Sequence, residues 1–327
     1  MRTPTFIHAF MLALGLMLLS ACGSSDTSTV GTACSGGDSA TGTTAGSGTS
    51  ANTGGVLCSY ATKAYNSSPS VNACAVVQWS CSGSRRTVTG NGLPDHSVGT
   101  FPNTDNPNTM TAQTVSASGP LSPIWTNAIT AVSGPGVPMG YALNGIKIDP
   151  ATAGSCNDAG TSCPLGPGGG GGSWNIEAMG PTAFKFGTDS NNAHVQPDGA
   201  YHYHGVPEGL VSKLNKGTAM TLIGWAPDGF PIYARYGYSI ANDASSAIKV
   251  MVSSYTLKTT PDANRPATHL YAMGTFTQDY QYALGADGLD ECNGRTGVTP
   301  EFPTGIYHYY ATDTYPFFQR CVKGQLR

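Results

Sequence analysis

Short segments of alternating apolar and polar residues, separated by turns, make up most of the chain after about residue 57. Each segment is bounded by Gly, Pro, Asn or Asp, which is typical of β-strands joined by tight turns. One helix is predicted over 206–216, where Pro207 suits the first turn. The pattern predicts one irregular, turn-rich, mainly β domain with a few short helices. The clearest strand segments are 74–79, 86–90, 141–148, 182–187, 199–205, 220–226, 230–240, 250–257 and 304–312.

The first 21 residues, 1–21, have the pattern of an export signal. Arg2 precedes an apolar run, 10–19, that is too short to span a bilayer. The segment ends in Leu-Ser-Ala-Cys, which resembles the lipobox of bacterial lipoproteins and implies cleavage before Cys22 and acylation of its thiol. Because Gly23 and not Asp follows, the resemblance implies the outer membrane of a bacterial cell envelope. We expect a lipid anchor and no transmembrane span, the alternative being an ordinary signal peptide with an incidental cysteine.

Composition divides the rest of the chain into a linker and a domain. Residues 22–56 contain almost nothing apolar and predict a flexible Gly/Ser/Thr-rich linker, which leaves 57–327 as the domain. A second Gly-rich patch, 168–172, lacks the Lys and Ser/Thr of a phosphate-binding loop and belongs to an expected insertion loop at about 151–173. With 11% charged residues and a net charge of −3, the chain has no basic excess, so nucleic acid is not an expected partner.

The cysteine count fits an exported protein. Nine cysteines less the lipidated Cys22 leave eight, an even number that predicts up to four disulfides. We expect Cys156 to pair with Cys163, because the segment between them is polar and turn-rich, and Cys292 to pair with Cys321. No Cys-x-x-Cys motif is present, which argues against a thiolate zinc site or a thioredoxin-type redox motif.

Three histidines, His194, His202 and His204, lie close together in the segment His-Val-Gln-Pro-Asp-Gly-Ala-Tyr-His-Tyr-His. Residues two apart on a strand point to the same face, so His202 and His204 face one way and the intervening tyrosines the other. The Pro-Asp-Gly turn would fold His194 back toward this pair. Imidazoles that converge in this way can bind a metal ion; the alternative is a set of structural histidines satisfied by hydrogen bonds.

Further candidate ligands lie elsewhere in the chain. The segment 303–310 echoes 197–204, and two such Tyr/His hairpins paired in one sheet would bring His308 near His202; a turn and strand shared without functional meaning is the alternative. An acidic loop near residue 290 would suit Ca²⁺, although solvated loop acids are equally consistent with it. The remaining turn and loop candidates are His96, Asp228, Asp290 and Glu291.

Several blocks of sequence together resemble the YHYH-domain family of exported bacterial proteins, named for the Tyr-His-Tyr-His motif found here at 201–204. The family has no settled activity, so the resemblance implies shared motif positions and no reaction. The blocks, in the family's order, are 91–113, 142–150, 174–180, 191–210, 223–238 and 288–324. The positions that the resemblance marks are His96, His194, His202, His204, Asp228, Asp290, Glu291 and Cys292.

These observations favour a metal-binding lipoprotein of the cell envelope, with His202 and His204 as primary ligands. His194, with His308 or His96, would supply a third nitrogen, and Asp or Glu would complete the set. Imidazoles without thiolates favour Cu or Zn over Mn, Fe or Ca. An open coordination position would allow metal-dependent hydrolysis or copper redox chemistry.

Two other functions remain open. A non-catalytic extracellular module could bind a glycan or a protein through Tyr and Trp faces. A metal-independent hydrolase could use an Asp–His pair such as Asp228 and His202, although no nucleophile motif accompanies the pair. The contact residues of the binding module would be Trp125, Trp174, Trp225 and the tyrosines of 233–238.

Overall fold

The expected signal peptide 1–21, the lipidation site Cys22 and most of the expected linker lie outside the residues that the computed structural model describes. Cys34 is disulfide-bonded to Cys74, so the expected linker is attached to the domain at that point. No helix in the described ranges has the length and apolar character needed to cross a bilayer. The described residues are Cys34, 55–132, 137–166, 171–181 and 183–326.

The domain is mainly β, as the sequence pattern predicts. Its only α-helix within the described residues, α1 (Glu208–Leu214), begins after Pro207 and ends at Asn215, which has a left-handed backbone conformation. This confirms the helix predicted over 206–216. Two single turns, one π-helical and one 3-10, complete the helical content described: Gly55–Ser59 and Thr277–Asp279.

A four-stranded antiparallel sheet forms the N-terminal part of the domain. Along its second strand every other side chain is buried, including Val77 and Trp79. These side chains pack with Leu143 and Trp225 of a larger sheet, which explains the alternation in the sequence. The strands, numbered in chain order, are β1 (Ala61–Asn66), β2 (Ala73–Ser82), β3 (Arg85–Gly90) and β4 (Val115–Pro120).

The larger sheet has eight strands and carries the candidate residues. Its first and last pairs are hairpins, two of its internal pairings are parallel, and its strands are short and almost fully buried. In spatial order the strands are β10 (Ala193–Val195), β11 (Tyr201–Tyr203), β7 (Lys147–Ile148), β6 (Gly140–Ala142), β12 (Thr221–Trp225), β13 (Pro231–Ala234), β19 (Ile306–Ala311) and β18 (Gly294–Gly297).

The remaining strands form two-stranded pairs. Residues 183–187, within the strand expected at 182–187, have irregular backbone; their Phe184 and Phe186 pack against Trp174 and Phe276. The pairs are β5 (Trp125–Ala131) with β20 (Cys321–Gly324), β8 (Ser155–Cys156) with β9 (Trp174–Asn175), β14 (Tyr236–Tyr238) with β15 (Ile248–Val250), and β16 (Tyr255–Leu257) with β17 (Tyr280–Tyr282).

Four disulfides connect these elements. Cys156–Cys163 and Cys292–Cys321 are present, which are the two pairings expected from the sequence. Cys156–Cys163 lies within the expected insertion loop, and Cys292–Cys321 joins the turn before β18 to β20. The other two bonds are Cys34–Cys74 and Cys58–Cys81.

The eight-stranded sheet consists of two similar halves. Two hairpins, β6–β7 and β12–β13, pair with each other at the centre through β6 and β12, where Tyr141 lies opposite Trp225. The second strand of each hairpin is parallel to the second strand of an outer hairpin, β10–β11 in one half and β18–β19 in the other. The order of pairings is therefore the same from either edge, as in an internal two-fold repeat.

Equivalent residues in the two halves are joined by hydrogen bonds, although Tyr203 accepts from Asn144 whereas Tyr309 donates to Asp228. In each half, one tyrosine of the Tyr/His strand (β11 or β19) is hydrogen-bonded to a turn residue of the central hairpin. A second tyrosine of the same strand donates to an aspartate that precedes the outer hairpin. The echo between 197–204 and 303–310 is thus part of a structural repeat. The matched contacts are Asn144 to Tyr203 (2.9 Å) with Tyr309 to Asp228 (2.5 Å), and Tyr201 to Asp189 (2.7 Å) with Tyr307 to Asp290 (2.8 Å).

Candidate metal centre

Three imidazoles converge where β10 pairs with β11. The antiparallel register places His194 opposite His202, and His204 follows two residues later on the same face. One ring nitrogen from each histidine lies within 4.8 Å of the other two. The Nε2 atoms of His194 and His204 are 3.1 Å apart and form a hydrogen bond. This separation is close to the roughly 3.3 Å between two tetrahedral ligands that each lie 2.0–2.1 Å from one metal ion.

Backbone carbonyls fix the orientation of two of these rings. The Nδ1 atom of His194 is 2.6 Å from the carbonyl oxygen of Phe186, and that of His202 is 3.4 Å from the carbonyl of Ala200. A carbonyl only accepts hydrogen bonds, so each Nδ1 carries the hydrogen and Nε2 keeps its lone pair for a metal. The Nδ1 atom of His204 makes no hydrogen bond within the described residues. The nearby backbone of Pro150 raises the pKa of His204, but burial, the larger effect, lowers it.

All three histidines are uncharged at neutral pH. Burial lowers the pKa of His194 and brings the pKa values of His202 and His204 well below the usual range. Positive charge on a neighbouring imidazole, and on Lys147, lowers the pKa of His202 further. The neutral ring is the form that binds metal ions, so the environment keeps the three side chains ready to act as ligands.

A cleft of about 570 Å³ borders the three imidazoles. Its walls are largely apolar, while three exposed charged residues, Asp105, Lys185 and Asp198, also line it. Part of the wall comes from the expected insertion loop, through residues 151–153 and 165–166. An ion held by the histidines would therefore have a face accessible to small molecules. The apolar wall residues are Pro107, Ala151, Ala153, Leu165, Phe186, Val195 and Pro197.

His96 belongs to the opposite face of β11. Its Nε2 atom is 2.6 Å from the hydroxyl oxygen of Tyr203, and its Nδ1 atom is 3.0 Å from the carbonyl of Ser97. Tyr203 in turn accepts a hydrogen bond from Asn144. The alternation of the strand thus separates His96 from the three converging histidines.

His308 lies far from His202 in the same sheet. Four strands separate β11 from β19, which corresponds to roughly 24 Å at about 4.8 Å per strand. The ring nitrogens of His308 lie 2.9 Å from the carbonyl of Ile306 and 3.0 Å from the hydroxyl of Tyr310. Burial lowers its pKa to about 4. The two Tyr/His hairpins share a sheet, as the sequence suggested, but they do not bring His308 to His202.

The three acidic candidates also have other partners. Asp228 is fully buried and accepts hydrogen bonds from the Tyr309 hydroxyl and the Gly324 amide, while burial raises its pKa. It forms no pair with His202 in the described residues, so the geometry gives no support to an Asp–His hydrolase. Asp290 accepts a hydrogen bond from Tyr307, and Glu291 one from Lys323. The group identified in the described chain contains three histidines and no carboxylate.

Several residues that support the site are not predictable from the sequence pattern. Phe186 holds His194 through its backbone, which leaves no signal in the side-chain pattern. Asp189 and Asn144 anchor the two tyrosines of β11. The segments 189–194 and 290–295, which are equivalent in the two halves, share only their first residue, Asp, and their fourth, Asn, so the sequence carries at most a weak signal for Asp189.

The aromatic faces considered for a binding module are mostly inside the protein. Trp174, Trp225 and Tyr233 are buried, and their rings pack in the core. Trp125 is half exposed, at 50%, and the other two tyrosines of 233–238 are partly exposed. Stacking of a glycan across these rings therefore finds little accessible surface.

Comparison with known families identifies the chain. The family described as "YHYH protein" matches residues 116–324, which include the three converging histidines and the whole eight-stranded sheet. The chain belongs to this family, and the resemblance noted in the sequence is confirmed. Searches of curated proteins and of solved structures gave no match.

Proposed function

We propose that this protein binds a metal ion in the bacterial cell envelope through His194, His202 and His204. The observation that carries the proposal is the convergence of three imidazole nitrogens within 4.8 Å, with two rings oriented by backbone carbonyls. Burial keeps the rings neutral. Three imidazole nitrogens directed at one point are the arrangement that a metal ion requires, and the Nδ1 hydrogen bonds of His194 and His202 leave the Nε2 lone pairs of these two rings free for it.

The donor set favours Cu²⁺ or Zn²⁺ over Mn, Fe or Ca. Three imidazoles without thiolate or carboxylate suit these two ions. A three-histidine site leaves a coordination position open, which here would face the cleft. A bound ion would supply Lewis acidity for hydrolysis or, as copper, redox chemistry. The chain's own contribution is to orient His194 and His202 and to supply a largely apolar wall around the open position.

We further propose that the protein is a lipoprotein anchored at Cys22, most consistent with the outer membrane. The disulfides of the domain suit an oxidising compartment, and the described chain has no membrane-spanning helix. A Cys22→Ser variant of the exported protein should leave the membrane fraction and lose labelling by palmitate. If that variant stays with the membranes and keeps its label, the anchor lies elsewhere.

Elemental analysis of the untagged, exported protein tests the metal site. After incubation with Zn, Cu, Mn and Ca and removal of free ions, we expect about one equivalent of Zn or Cu in the wild type. His202→Ala and His204→Ala should each lose it, because two imidazoles remain. His308→Ala, which removes a buried histidine of the other half, is the matched control and should retain the ion. The absence of stoichiometric metal in the wild type would refute the proposal.

A further inference from the structure

Arg86 is a buried cation that has no anionic partner among the residues that the structure describes. Its side chain lies between the two sheets, with the residue 4% exposed and the guanidinium carbon 3.3 Å from the centre of the Trp225 ring. The Nε atom donates to the carbonyl of Leu57 at 2.8 Å, and the Nη1 atom is buried with no hydrogen-bond partner. None of the ion pairs in the described residues includes Arg86.

Other enclosed arginines of the domain have partners for both ends of the guanidinium group. Arg265 pairs with Asp279, and Arg320 pairs with Glu177. Arg295 has no acidic partner among the described residues either and its Nε atom is unpartnered, but both of its Nη atoms donate to backbone carbonyls. An unpaired charge and a free N–H in a buried position are costly, so such a group is normally matched by an anion. Burial alone, with no acid to oppose it, lowers the pKa of Arg86 to about 10.

The Trp225 side chain, which packs against Arg86, carries a second buried hydrogen-bond donor without a partner in the described residues. The Nε1 atom of Trp225 is buried and makes no hydrogen bond. Both side chains line a small cleft of about 80 Å³ between β3–β4 and the centre of the eight-stranded sheet. Tyr141, opposite Trp225 in the sheet, also lines it. No acidic residue of the described part of the chain borders the cleft, and its other walls are mainly apolar, including Trp79, Val88, Ala117 and Pro138.

We propose that this cleft binds a small monocarboxylate. One unpaired guanidinium matches a single negative charge, and its N–H groups suit the oxygens of a carboxylate. The Trp225 indole supplies a further donor, and the apolar walls suit a short alkyl group. A phosphate, with higher charge and more oxygens, would need more donors than the cleft offers. The site is built from β2, β3, β4, β6 and β12 and shares no residue with the three converging histidines.

Calorimetric titration of the full exported protein with formate, acetate and propionate tests this site, with chloride and phosphate as comparison anions. We expect saturable binding of at least one carboxylate by the wild type and loss of this binding in Arg86→Met. Arg85→Met is the matched control, because it removes the same charge from the adjacent position of β3, whose side chain points to the other face. The control should bind as the wild type does.

A second variant tests the site without removing the cation. Trp225→Phe keeps a ring beneath Arg86 but lacks the indole N–H, and it should weaken binding about tenfold, as expected for one hydrogen bond to a charged acceptor. Undiminished binding in Arg86→Met, or no saturable binding of any carboxylate by the wild type, would overturn the proposal. Binding of chloride or phosphate in preference to all three carboxylates would overturn the assignment of the ligand class.

Discussion

The alternation of Tyr and His along β11 decides which side chains meet. Because side chains alternate along a strand with a period of two, the sequence alone placed His202 and His204 on one face. The structure has them there, and His194, the cross-strand partner of His202, lies on the same face. The same reasoning could not place His96 or His308. Their positions depend on contacts distant in sequence, the hydrogen bond of His96 to Tyr203 and the four strands that separate β19 from β11.

His308 should make the domain sensitive to acid. Its pKa in the folded protein is about 4, below the ordinary value of 6.5, so the unfolded chain binds more protons between these values. The free energy of unfolding should therefore fall as pH drops from about 6.5 toward 4. Between pH 7 and pH 5 the contribution of this residue is about 2 kcal/mol. Urea denaturation of the metal-free protein at the two pH values measures the loss.

A non-titrating variant isolates this contribution. The three converging histidines also have lowered pKa values and add to the acid sensitivity of the wild type. His308→Gln keeps a polar group and should show a loss between pH 7 and pH 5 that is about 2 kcal/mol smaller than that of the wild type. An equal loss in both proteins would contradict the assignment of acid sensitivity to this residue.

The two hairpins of Tyr and His occupy equivalent places in the two halves of the sheet, but only one has converging histidines. His194 lies opposite His202 in one half, and Arg295 lies opposite His308 in the other. The position of His204 is taken by Tyr310, whose hydroxyl is 3.0 Å from Nε2 of His308. A fixed guanidinium and a phenol thus replace two of the three imidazoles, which explains why the second hairpin lacks a comparable group.

This equivalence predicts that a second metal site can be installed. The double variant Arg295→His/Tyr310→His should bind one metal ion more than the wild type, because the register places its new imidazoles around His308 as His194 and His204 lie around His202. Removal of Arg295 also removes a cation that would repel the ion. Elemental analysis and titration with Co²⁺, whose absorption reports its ligands, give the stoichiometry.

One single variant and one triple variant serve as controls for this experiment. Arg295→His alone, with two imidazoles in the second half, should remain near one equivalent. Addition of His202→Ala to the double variant should remove the first site and leave the new one. A folded double variant that still binds only one equivalent would show that the two hairpins are less alike than their register indicates.

At the level of the whole molecule, the sequence predicted the class of fold but not the order of the strands. Turn residues and alternation located β2, β3, β11, β12 and β19, because these signals are local. The order of the eight-stranded sheet depends on parallel contacts between distant segments, for which no local signal exists. Very short strands such as β8 and β9 were missed because two residues cannot show a period.

Disulfides hold segments that lie outside the eight-stranded sheet. Cys292–Cys321 attaches β20 beside the second half, where the Lys323 amide donates to the Tyr309 hydroxyl and the Gly324 amide to Asp228. These contacts add to the hydrogen bond that the Tyr309 hydroxyl donates to Asp228, so β20 is part of this buried polar group. β20 pairs with β5 and with no strand of the large sheet in the described chain. The disulfide therefore attaches β20 to the large sheet, which backbone pairing does not do.

Loop length predicts how much each of two disulfides contributes to stability. Cys292–Cys321 spans 29 residues and Cys156–Cys163 spans 7. The chain-entropy relation then gives losses of about 3.5 and about 2.5 kcal/mol when each pair is replaced by Ala. The first loss should be larger still, because β20 also carries the two amides that satisfy Tyr309 and Asp228. Urea denaturation of the two double variants measures both values, and an equal or reversed order would show that β20 is held by its contacts with β5 and not by the disulfide.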